Sequence, residues 1–152
     1  MEKLKELDRR YRVLRLAQFG MAGIVGFLVL EAILVTGLYI LYGSPNLPSD
    51  FASSPGLVAL DVFASIAGVV VGFFVNELTT VRSVVRGKGW KDTMVRLGKF
   101  EGVYAIGSAI TIGVQLALLA WLALSPAVGN IVGAILAYPV SYAISMRFVW
   151  RT

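Results

Sequence analysis

Residues 17–42, AQFGMAGIVGFLVLEAILVTGLYILY, hold a single charged side chain, Glu31, in 26 positions. A helix needs about 20 mainly apolar residues to cross roughly 30 Å of hydrocarbon, so this block is long enough to span a bilayer. A basic segment, MEKLKELDRRYRVLRL, precedes it, and a polar one containing Pro45, Pro48 and Pro55 follows. The apolar run is too long for the core of a secretory signal. Three further blocks of the same kind occupy residues 58–81, 102–124 and 127–150. Lipid offers no hydrogen-bond partners, so each block is expected to satisfy its own backbone as a helix. The reading is an all-α integral membrane protein with four transmembrane helices. Residues 17–152 form one membrane domain, and residues 1–16 a basic tail.

Composition supports this and removes most chemistry. Of 152 residues, 57% are hydrophobic and 15% charged, against about a quarter charged in soluble domains. There is no cysteine and no histidine, which excludes disulfides, thiolate metal sites, cysteine nucleophiles and imidazole-based triads. No metal-binding cluster or phosphate-cradling glycine loop is present either. The chain is therefore expected to be no enzyme and to need no cofactor or metal. Its formal charge of +5 would suggest nucleic acid for a soluble protein, but here the charge is read against the membrane.

Six of the fourteen basic residues lie in the tail, six between residues 82 and 99, and the last two are Arg147 and Arg151. Four spans place all of them on one side and none in the opposite loops. The positive-inside rule then puts both termini and the central loop in the cytoplasm of a cell-membrane protein. In the tail, Leu4, Leu7, Tyr11 and Leu14 share one helical face, so a cytoplasmic amphipathic helix resting on anionic headgroups is expected. Trp90 with its apolar neighbours suggests that the central loop also rests on the membrane surface. Tyr39 and Tyr42 outside, with Tyr104, Phe148 and Trp150 inside, fit aromatic belts.

The two halves of the chain are related. Arg15-Leu16-Ala17-Gln18-Phe19 leads the first span, and Arg96-Leu97-Gly98-Lys99-Phe100 the third. Ala64, Gly68, Gly72 and Asn76 recur as Gly133, Ala137, Ser141 and Ser145, each 69 positions later. Four-residue spacing puts each quartet on one helix face, where small side chains permit close backbone approach. Each half is a helical hairpin entering from the same side, so the repeats are parallel and not inverted. Pro139 is expected to bend the fourth span.

These features resemble the GtrA-like proteins. That family has an Arg-Phe-type lead into the first and third spans, and an Asn-Phe-x-x-Asn-Arg-x-Trp-x-Phe signature ending the second and fourth. The counterparts here are Gly72-Phe73-Phe74-Val75-Asn76-Glu77-Leu78-Thr79-Thr80-Val81 and Ser141-Tyr142-Ala143-Ile144-Ser145-Met146-Arg147-Phe148-Val149-Trp150. Asn76 keeps a signature asparagine, Phe148 and Trp150 keep an aromatic pair, and Glu77 and Met146 replace the signature arginine. The resemblance implies a flippase that moves polyprenyl-phosphate-linked sugars across the membrane for cell-surface glycan assembly. It equally allows a non-catalytic subunit that docks a glycosyltransferase beside its lipid acceptor. The partners implied are the lipid-linked sugar, a glycosyltransferase, and further copies of the chain, since four helices are too few to enclose a large substrate.

Several residues are candidates for a site. A charge at Glu31, near mid-span, costs roughly 2.5–3.5 kcal/mol on insertion scales unless paired, neutralised or wetted. It is either a proton or substrate contact or a hydrogen-bonded structural group. Gln115 and Thr111 could face it, or serve only as helix–helix glue. Asn76 and Glu77 lie at the end of the second span, also on a candidate path. Arg15, Arg82, Arg96, Lys99 and Arg147 should lie at similar depth and could form a rim for a lipid phosphate; the plain alternative is topological anchoring. A third reading, a small proton-coupled exporter resembling small multidrug transporters, rests on Leu30-Glu31-Ala32.

Overall fold

The computed structural model describes residues 2–43, 55–122 and 126–151. The expected polar segment with Pro45 and Pro48, and residues 123–125 between the third and fourth spans, lie outside the described residues. So do the side chains of the expected amphipathic face at Leu4, Leu7 and Tyr11.

Every described element is helical: α1 Glu2–Tyr42, α2 Pro55–Leu78, the short α3 Arg82–Val85, α4 Trp90–Leu122 and α5 Pro126–Ile144. A single π-helical turn, Ser145–Val149, prolongs α5. Four helices are long and apolar enough to cross a membrane. At 1.5 Å per residue, the 24 residues of α2 reach about 36 Å, more than the hydrocarbon thickness. Large apolar side chains such as Phe27, Phe63 and Ile135 are exposed on the outside of the bundle, as a lipid-facing surface requires.

Helix boundaries differ from the hydropathy blocks in three places. The first helix begins well before its hydropathy block, because α1 runs unbroken from Glu2 into the first span. The second helix ends at Leu78, three residues early. There the Asn76 carbonyl accepts from the amides of both Thr80 and Val81, at 2.9 and 3.1 Å, which closes the helix into a turn. The third helix begins at Trp90 and not at 102; no glycine or proline interrupts residues 90–97, so the polar stretch continues the helix instead of forming a surface loop.

Glycine decides how the helices pair. A Cβ on Gly26 would sit 2.5 Å from the Gly68 carbonyl oxygen, and one on Gly68 would sit 2.6 Å from that of Gly26. Such backbone-on-backbone approach is open only to glycine. In the second hairpin a Cβ on Gly133 would meet the Thr111 carbonyl oxygen at 2.6 Å. α1 therefore packs along α2, and α4 along α5, as two antiparallel hairpins.

The hairpins meet at one end of the bundle. Phe19 of α1, Phe73 of α2, Phe100 of α4 and Trp150 after α5 form one aromatic cluster, with Phe73 and Trp150 stacked at 6.1 Å and 14°. Phe19 meets Phe100 and Trp150 edge-on. The starts of the first and third spans and the ends of the second and fourth therefore share one end, which also carries the basic residues. Trp150, expected in an interfacial belt, is instead 1% exposed and central to the core. The π turn places it there: its amide bonds back five residues, to the Ser145 carbonyl, at 3.1 Å, and turns the ring inward.

Candidate functional site

Asn76 and Glu77 end α2 side by side and face different neighbours. Asn76 Nδ2 donates to the Gly72 carbonyl at 3.1 Å, and its Oδ1 accepts from Thr80 Oγ1 at 2.9 Å. The side chain thus caps its own helix end. Glu77 reaches across to the other hairpin. Its Oε1 accepts from Arg96 Nε at 2.6 Å and from the Trp150 indole N–H at 3.4 Å. Arg96 also donates from Nη2 to Thr93 Oγ1 at 3.0 Å. Both charged side chains are nearly buried, 7% exposed for Arg96 and 10% for Glu77. A charge-assisted bond in such a setting is short and strong, and it fastens α2 to α4. A second link is the Tyr138 hydroxyl, which donates to the Leu16 carbonyl and lies against Gly20.

Two cavities flank this fastening. The outer one, about 690 Å³, opens at the basic end between α1 and the α2–α3 corner. Arg15, Arg82 and Arg86 line it together with Gln18, Thr79 and Ser83. Leu14, Phe74 and Leu78 supply an apolar wall. Arg82 and Arg86 are exposed, and neither makes a side-chain ion pair among the described residues. Glu77 borders the same cavity, but its charge is already matched by Arg96. The outer cavity therefore joins three cationic forks to an apolar surface.

The inner cavity, about 620 Å³, lies between the hairpins and draws on all four long helices. It starts at Phe19, Asn76, Phe100 and Ser145 and runs inward to Leu30, Ser65, Thr111 and Ala134. Eleven residues of α1 separate Phe19 from Leu30, which corresponds to about 16 Å of helix. Glycine, serine and aromatic residues dominate its wall, and among the described residues no charged side chain lines it.

A match to known proteins fits this architecture. The family model described as "GtrA/DPMS, transmembrane domain" covers residues 18–150. The chain belongs to the GtrA/DPMS transmembrane-domain family. It is also similar to a dolichol-phosphate mannosyltransferase of Pyrococcus furiosus, 25% identical over 138 residues. That alignment covers 91% of this chain and 34% of the relative, so the chain spans about a third of that protein's length.

The signature positions of this GtrA/DPMS chain gather at the basic end. Phe73, Asn76 and Trp150 are buried there, and Phe148 lies beneath Lys99 Nζ at 5.1 Å from the ring centroid. Of the candidates raised from sequence, Arg15 and Arg82 come together in the outer cavity, with Glu77 on its border. Asn76 and Thr111 line the inner one. Arg96 is engaged with Glu77, and Arg147 is exposed outside both cavities. Gln115 packs against Gly129 in the α4–α5 seam. Glu31 is half-buried and borders neither cavity, and among the described residues no hydrogen bond joins it to Thr111 or Gln115. Arg86, Tyr138 and Ser145 were not among the site candidates. Ser145 had a signal, its repeat correspondence to Asn76; Arg86 and Tyr138 had none beyond residue type.

Proposed function

We propose that this protein is a membrane translocator for polyprenyl-phosphate-linked sugars. The arginine-lined outer cavity carries the reading. Arginine presents a planar fork matched to phosphate oxygens, and the adjoining apolar wall suits the first carbons of a prenyl chain. Arg15, Arg82 and Arg86 hold the phosphate, while Gln18 and Ser83 donate further hydrogen bonds. Arg96 acts through Glu77 as a fastener between hairpins, and Lys99 and Arg147 as topological anchors. The basic end faces the cytoplasm under the positive-inside rule, where lipid-linked sugars would be collected. The hairpins are parallel repeats, and several copies assemble to enclose a full lipid-linked substrate. The Pyrococcus furiosus relative, named as a dolichol-phosphate mannosyltransferase, supports this class of lipid.

A docking role is the second reading. It is favoured by the relative's greater length, because the matching segment there is part of a longer chain named as a mannosyltransferase. On that reading the basic end holds a cytoplasmic glycosyltransferase beside its acceptor. The proton-coupled exporter gains no support from Glu31, which is not among the residues lining either cavity.

Proteoliposomes containing only this protein, loaded with a short-chain prenyl-phosphoryl hexose, separate the two. Translocation predicts protein-dependent flux that falls at least about a hundredfold when Arg15 and Arg82 are both changed to Gln, on the scale of two charge-assisted bonds. Absence of flux with correctly inserted protein, together with co-purification of a glycosyltransferase, would favour docking.

A further inference from the structure

Ser145 is wholly buried, borders the inner cavity, and its Oγ makes no hydrogen bond among the described residues. A buried hydroxyl without a partner is a cost that alanine at the same place would not carry; Ala137 occupies the same face two turns away. Next to it in the cavity, Asn76 uses one amide N–H on Gly72 and its oxygen on Thr80. Of the two donors an amide carries, one remains unused among the described residues. The rings of Phe19 and Phe100 line the same end of the cavity, and Ser141 lies one turn inward from Ser145. The cavity volume, about 620 Å³, falls in the range of small-molecule sites.

We propose that the inner cavity is a binding site for a neutral polyhydroxylated ring, with Ser145 Oγ and Asn76 Nδ2 as hydrogen-bonding partners and Phe19 and Phe100 as stacking faces. Resting on the translocator reading, this assigns the ring to the sugar headgroup of the lipid-linked substrate. The chemistry favours that occupant over the alternatives. An acyl or prenyl chain would leave Ser145 and Asn76 unsatisfied, and an anion would find no cation in the lining. A pyranose offers hydroxyls around its edge and C–H groups on its faces, which matches hydroxyl, amide and aromatic partners together. The Glu77–Arg96 pair and Trp150 lie at the same basic end of the bundle without lining the cavity.

The test uses the full chain in nanodiscs and two probes, a short-chain prenyl-phosphoryl hexose with a diazirine on the sugar and a prenyl phosphate with no sugar. Photolabelling of the wild type is expected on residues 100–111 and 137–145. Ser145→Ala is expected to lower sugar-probe affinity about three- to tenfold, the scale of one hydrogen bond, while raising the thermal midpoint of the unliganded protein. Ser145→Leu, which puts a bulky apolar side chain in place of the hydroxyl at that end of the cavity, should abolish sugar labelling. Neither change should alter binding of the sugar-free probe. Labelling confined to the outer cavity, or equal sugar-probe affinity in wild type and Ser145→Ala, would overturn the inner site. A lowered midpoint in Ser145→Ala would also overturn it, by showing that the hydroxyl holds a structural water. Those results leave the translocator reading intact as long as Arg15→Gln/Arg82→Gln weakens the sugar-free probe; failure of that arm would count against the reading itself.

Discussion

Glu77 is the sole acidic residue between Asp61 and Asp92, and it stands where the family signature places an arginine. Its burial against Arg96 and Trp150 explains how that departure is accommodated, because the charge that the signature would supply from α2 here comes from α4. Removing one partner of a buried pair leaves the other uncompensated, which costs roughly 3–5 kcal/mol. Glu77→Gln and Arg96→Gln should each therefore lower the thermal midpoint sharply in detergent. Glu77→Leu combined with Arg96→Met should recover most of the loss, since well-packed apolar replacements of buried pairs are often neutral or better. A double variant no more stable than the singles would show that the pair is not the fastener. Pattern reading placed Glu77 and Arg96 at one depth but did not pair them, because partner choice depends on how two helices are rotated toward each other. Trp150 was misplaced for a related reason. Its spacing fits an interfacial belt, and only the π turn reveals that the ring points inward.

At the scale of the helix, hydropathy located all four spans because burial in lipid leaves each an unbroken apolar run. It missed the first turns of α4, where Lys91, Asp92 and Arg96 look like loop residues in one dimension. Arg96 is compatible with a helix there because it has a partner across the bundle. The small-residue quartets proved informative: Ala64, Gly68, Gly72, Asn76, Gly133, Ala137 and Ser145 are all buried. Which glycines are essential was not visible in the pattern, since Gly23 and Gly113 look equivalent to Gly26 and Gly68. In the structure a Cβ at Gly113 meets nothing within 4 Å, whereas one at Gly26 strikes backbone. Gly26→Ala should force α1 and α2 apart at about 1–3 kcal/mol, the usual scale of overpacking. Gly113→Ala should be neutral or slightly stabilising, because alanine is the better helix former. Thermal midpoints of the two variants check both, and equal effects would contradict the seam.

For the whole molecule, two tight hairpins joined mainly at the basic end leave a cavity between them further in. The shared end for both termini and the central segment gives a topology prediction. The chain has no cysteine, so single cysteines at Ser83 and Arg151 can be labelled without background. Both should react with a membrane-impermeant maleimide only after the inner face is opened. Ser44→Cys, on the opposite connection, should react in intact cells. Labelling of Ser83 and Arg151 variants from opposite sides would remove the paired-hairpin arrangement in the membrane. The claim on which the functional reading depends is narrower, that the arginines of the outer cavity hold the phosphate of a prenyl lipid. Native mass spectrometry of the protein with a short-chain prenyl phosphate tests it most directly. Arg15→Gln/Arg82→Gln should lower retention of the lipid at least about a hundredfold, the scale of two charge-assisted bonds, and Arg147→Gln, outside both cavities, should leave it unchanged. Equal loss in both variants would mean that only the overall positive charge attracts the lipid, and undiminished binding in the first would place the phosphate elsewhere.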